Sequence, residues 1–95
     1  MTTSDFTMEK ARDLMERANI SVEDMVSFLP ITKQTFYNWF NGKPVRDQLR
    51  FKLTVNRFQM LQNALDKGLL PLPEHTPKPV RRALIREAFA KANAK

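Results

Sequence analysis

Residues 31–44 read ITKQTFYNWFNGKP and place four aromatic rings, Phe36, Tyr37, Trp39 and Phe40, within five positions before Asn41-Gly42. Thr32 has the chemistry of a helix N-cap, with Ile31 and Phe36 at the staple spacing around it, and Asn41-Gly42 is a helix stop. At about 100° per residue, Phe36 and Trp39 fall on one side of that helix. Lys33, Gln34 and Asn38 fall elsewhere, with Tyr37 beside them. One face of the short helix is therefore expected to be polar, open to solvent or a partner.

Upstream, Ser21 can cap a second short helix, with Asp24 three residues on and Glu23 suited to the positive helix end. Val22, Met25, Val26 and Leu29 make its apolar face, and Pro30 ends it. A first helix is expected over 7–18, burying Ala11, Leu14, Met15 and Ala18, with Asn19 as a left-handed stop. Downstream, Asp47 opens a long helix to about Lys67, with Leu49, Leu53, Phe58, Leu61 and Leu65 as its stripe and Gly68 as its terminator. Residues 71–79, PLPEHTPKP, hold four of the six prolines and read as a non-helical connector. The last segment, 80–95, is basic and Ala-rich. Val80, Leu84 and Ala88 form one stripe on it, and Ile85, Phe89 and Ala92 an adjoining one. The fold class is all-α: a four-to-five-helix domain over 1–70, a Pro-rich connector, and a basic amphipathic C-terminal helix.

Composition narrows the chemistry. The 95 residues include no Cys and one His, His75, which excludes a disulfide framework and thiolate or His-cluster metal sites. No cofactor is expected. No apolar run reaches the roughly 18 residues needed to span a bilayer, and the polar start lacks signal-peptide character, so no membrane association and a cytoplasmic location are expected. The net charge of +6 is unevenly spread: residues 1–30 carry three basic and six acidic side chains, whereas residues 31–57 carry six and one. A basic step that begins where the aromatic helix begins favours a polyanionic partner. The carboxylates lack a nucleophile–base arrangement and there is no Gly-rich phosphate loop, so an enzyme is not expected.

Two short helices joined by three or four residues form a helix-turn-helix candidate. Residues 21–43, SVEDMVSFLPITKQTFYNWFNGK, resemble the Cro/C1-type (XRE-type) helix-turn-helix of phage repressors and bacterial regulators, through Ser21, Glu23, Ile31, Thr32, Phe36, Trp39, Asn41, Gly42 and Lys43. The likeness extends more loosely over residues 8–70. It implies a lambda repressor-like domain of phage or bacterial origin that binds double-stranded operator DNA as a homodimer, acts as a transcriptional repressor, and is nucleoid-associated through that binding. Phe36 and Trp39 match the family's buried recognition-helix positions, which implies that these two rings are core; Lys33, Gln34 and Asn38 match base-reading positions, and their side chains suit guanine and adenine edges. Asn41, Lys43, Arg46 and Arg50 follow where the family touches phosphates; Thr32, Thr35 and Tyr37 join them as backbone contacts.

Departures from the family pattern are informative. Val26 stands in place of a small residue and Pro30 in place of the turn Gly, so the turn is expected to be a variant or displaced by one residue. Phe28 and Phe40 replace polar or charged residues. Together they suggest an apolar surface buried by the C-terminal segment or by another chain, with Leu84 and Phe89 as further candidates for a protein contact, and Phe40 is expected on the long helix or on a second protomer. The C-terminal helix is open to three roles: packing, dimerisation, or a basic arm using Arg81, Arg82, Arg86 and Lys91. The alternative function is a protein-interaction module on the same fold, binding a host or regulatory protein through its aromatic surface.

Overall fold

The computed structural model describes residues 6–94, which form five helices: α1 (Met8–Ala18), α2 (Val22–Val26), α3 (Lys33–Phe40), α4 (Gln48–Asp66) and α5 (Lys78–Ala92). Among the described residues there is no strand. The expected caps Ser21, Thr32 and Asp47 are in place, their side chains accepting from the backbone N–H groups of Asp24, Thr35 and Arg50, and Thr7 caps α1 in the same way through Lys10 N–H. Each satisfies a donor that the first helical turn leaves without an intrahelical partner.

Helices α1, α3 and α4 end in the same way. Asn19, Gly42 and Gly68 have positive φ (53°, 83° and 73°), and the next N–H reaches back across the turn: Ile20 to Met15 O, Lys43 to Asn38 O, Leu69 to Ala64 O, at 2.9–3.0 Å. This is the Schellman closure, which needs a left-handed residue at its corner.

Between α2 and α3, Pro30 sets the geometry. Helix α2 tightens at its end, the N–H groups of Phe28 and Leu29 bonding three residues back to Met25 O and Val26 O (2.9 and 3.0 Å). Regular α-helix thus stops at Val26, with six residues before α3, although the tightened turn carries the chain to Leu29 and leaves three from there to Lys33. The free carbonyl of Pro30 accepts from Arg50 Nη1 at 3.1 Å. The turn is held by a side chain from α4.

The core is a run of aromatic contacts. Phe40 meets Phe36 edge-on (4.7 Å between centroids), Phe36 stacks on Phe58 (6.2 Å), Phe58 meets Phe6 (5.5 Å), Phe6 meets Phe51 (5.8 Å), and Phe51 meets Trp39 (5.4 Å). Edge and offset geometries suit the ring quadrupoles. Helix α3 is thereby fixed to α4 through Phe36 and Trp39, and Phe6, just before α1, packs on the same two α4 rings.

Two expected stripes are corrected. Helix α4 buries Thr54, Val55, Phe58, Leu61 and Ala64, while Leu49 and Leu53 are 68% and 43% exposed. Thr54 can be buried because its hydroxyl donates to Arg50 O at 2.8 Å. Helix α5 buries Ile85, Ala88, Phe89 and Ala92, and Val80 and Leu84 lie outside. It also begins two residues earlier than expected, at Lys78. Pro79 is tolerated in its first turn, where its missing N–H has no intrahelical partner.

Helix α5 packs within the chain. Its C-terminal end joins α4 through Asn93, which accepts from Asn63 Nδ2 (2.8 Å) and donates to Met60 O and Phe89 O, while Lys67 Nζ donates to Ala92 O. At its other end Arg82 Nε donates to Asp24 Oδ1 (2.8 Å) and Arg81 to Asn19 O. Phe28 meets Phe89 edge-on at 5.3 Å, with the Arg86 guanidinium over its ring.

Candidate nucleic-acid interface

Because Phe36 and Trp39 anchor α3, the opposite side of this helix is open. Lys33, Gln34, Tyr37 and Asn41 are exposed and Asn38 is half-buried. These positions make one continuous stripe along the helix surface. Tyr37, 41% exposed, is the one ring of the quoted stretch that faces outward; Phe36 and Trp39 are core. Phe40 lies half-buried between Phe36 and the Arg12 guanidinium of α1, 5.2 Å from its ring. Within the chain, Phe40 is thus tied to α1.

The Schellman turn after α3 brings the basic residues to the stripe. Lys43 N–H bonds to Asn38 O, so Lys43 lies against the end of α3. With Thr35, Asn38, Trp39, Pro44, Arg46 and Asp47 it lines a depression of about 380 Å³. Four of the residues expected at DNA, Thr35, Asn38, Lys43 and Arg46, thus meet in one place. Among the described residues Lys43 and Arg46 form no ion pair.

Other site residues are already engaged. Gln34 Nε2 donates to Asn38 Oδ1 at 3.0 Å, one turn on, which aligns the two amides along the helix. Thr32 caps α3 and donates to Thr35 Oγ1 (3.1 Å). Arg50 is bound to Pro30 O and to Asp47 Oδ2 (3.1 Å each), so its immediate work is to hold the turn. Lys33 Nζ lies 2.5 Å from Glu23 Oε1. That hydrogen bond is the largest cause of the lowered pKa of Glu23 and of the raised pKa of Lys33. The sequence singled out Glu23 as a helix-end charge and a point of family likeness, with no link to Lys33. A pairing across ten residues and a turn has no periodicity to betray it.

The surface expected to take a protein partner is largely consumed within the chain. Phe89 is buried, Phe28 is covered by Phe89 and Arg86, and Phe40 by Arg12; Leu84 remains 37% exposed. The basic-arm role meets the same obstacle: Arg81 and Arg82 are turned to α1 and α2, Arg86 to Phe28, and Lys91 pairs with Glu87 at 2.9 Å.

A larger concavity, about 1250 Å³, lies beyond the Tyr37–Phe40 edge of α3, between α1, the start of α2 and residues 74–82. Its lining holds four basic side chains (Arg12, Lys78, Arg81, Arg82) and four acidic ones (Glu16, Glu23, Asp24, Glu74). That balance does not suit a polyanion, whereas the depression at Lys43 and Arg46 has two cations and one carboxylate. No family model, curated protein or solved structure matches the chain.

Proposed function

We propose that the chain is a sequence-specific DNA-binding transcriptional regulator of the Cro/C1 type, a repressor that occupies operator DNA as a dimer and resides in the cytoplasm on the nucleoid. The observation that carries this is the open polar stripe of α3, set opposite Phe36 and Trp39, with Lys43 and Arg46, which form no ion pair among the described residues, at its end. A helix presented in this way can enter a major groove. Its Lys, Gln and Asn side chains then have guanine and adenine edges to bond, and the flanking cations and hydroxyls meet phosphate. One such helix reads few base pairs, so two protomers on half-sites about 34 Å apart supply the specificity. The protein-interaction alternative is left with Tyr37 and Leu84 as exposed members of its surface.

Gln34→Ala and Lys43→Ala test this directly, because one residue is assigned to bases and the other to phosphate. Losing Gln34 is expected to cost about 1–3 kcal/mol on a duplex selected from a random pool, with little change on a scrambled one. Losing Lys43 is expected to weaken both alike, and to reduce the slope of log affinity against log salt by about one per contact removed. Titrations at two salt concentrations read both effects and the number of protomers per site. Equal weakening of both duplexes by Gln34→Ala, or no effect, would reject the recognition-helix assignment.

A further inference from the structure

The cation that opens α3 is held by α2. Lys33 Nζ is 2.5 Å from Glu23 Oε1 and 6.0 Å from the centroid of the Tyr37 ring. Both members of the pair remain about half exposed, at 50% and 55%. The contact therefore lies on the outer surface, on the side where α3 is open. A bare carboxylate in that position opposes the approach of phosphate, and it occupies a lysine that phosphate would otherwise attract.

Building on the DNA-binding proposal, we infer that Glu23 is a specificity-determining residue, whose carboxylate keeps Lys33 from phosphate and releases it only to base edges that satisfy both members of the pair. A phosphate can take the ammonium alone and brings a second negative charge beside Glu23. In the major groove, guanine O6 and N7 accept from the ammonium while a cytosine N4 amino group donates to the carboxylate. Both groups then exchange partners without stranding a charge. The two heads are in contact, and successive bases on a strand are about 3.4 Å apart, so a guanine and a cytosine on the same or neighbouring pairs are within the pair's span. Lys33 thus contributes to binding at the correct site and little elsewhere.

The test is a double-mutant cycle of the parent, Glu23→Gln, Lys33→Met and the double variant. Each is titrated onto a duplex selected by the parent and onto its scrambled counterpart, while the Glu23 carboxylate is followed by NMR titration in the parent and in Lys33→Met. Glu23→Gln is expected to strengthen binding to the scrambled duplex by a factor of about two to five, the scale of an exposed ion pair, with no gain on the selected duplex. In the Lys33→Met background that strengthening disappears, and the Glu23 carboxyl returns to its ordinary range. Equal strengthening on both duplexes, or strengthening that persists without Lys33, is the generic effect of removing a negative charge and overturns the inference. A parent protein that selects no duplex overturns the DNA proposal itself, and is distinguished by a carboxylate that still responds to Lys33→Met.

Discussion

At the scale of single residues, the Lys33–Glu23 pair links protonation to the fold. The lysine ammonium holds the Glu23 carboxyl below its ordinary 4.5, so its contribution to stability is present above that value and is lost as pH falls through the folded-state pKa. Glu23 in turn raises Lys33 above 10.5, so that contribution is present below 10.5 and is lost as pH rises through the folded-state value. The stability difference between the parent and Glu23→Gln should therefore be flat across neutral pH and shrink towards both extremes. Denaturant titrations at a series of pH values, in low salt where exposed pairs are least screened, will show it. A difference that stays constant into strong acid would mean the pair does not act on folding.

Among the helices, α3 depends on its two ends. Thr32→Ala removes the acceptor for Thr35 N–H and should cost about 1 kcal/mol. Gly42→Ala tests the other end. No atom lies within 4 Å of an added Cβ, so the cost is confined to the backbone at φ +83° and should be about 1–2 kcal/mol. Gly68, with φ +73° and the same open surroundings, should respond alike, as measured by thermal melting of both variants. The two should differ in function. Gly42 sets Lys43 against Asn38, so Gly42→Ala should also weaken the proposed DNA binding, whereas Gly68 ends a helix remote in sequence from the stripe and Gly68→Ala should leave that binding unchanged at temperatures where the protein is folded.

Over the whole molecule, α5 belongs to the same core as α1–α4, since Ile85, Ala88, Phe89 and Ala92 are buried in it. Phe89→Ala leaves a cavity beside Phe28 and should cost about 3–5 kcal/mol. Ending the chain at Leu70 removes all four residues and exposes the α4 face they cover. Against the roughly 5–15 kcal/mol available to a domain, the shortened chain should lose cooperative melting. Retention of a sharp transition at nearly the parent temperature would show that α5 is an accessory instead.

Local chemistry wrote much of this fold into the sequence. Thr7, Ser21, Thr32 and Asp47 cap because a short side-chain oxygen can reach an N–H three residues on. Asn19, Gly42 and Gly68 end helices because they tolerate positive φ. The burial of Phe36 and Trp39 is what the family likeness implies, and helical period then sets the outward face of Lys33, Gln34 and Asn38 with Tyr37 beside it. Tertiary structure decided what depends on contacts distant along the chain. Period marks several apolar residues on α4 and α5, but only packing chose Val55 and Ala64 over Leu49 and Leu53, and Ile85 and Phe89 over Val80 and Leu84. Likewise, the destinations of Arg50, Arg81, Arg82 and Glu23 are set by which helices meet: a charged side chain's partner is a matter of distance in space, and no spacing along one helix encodes it.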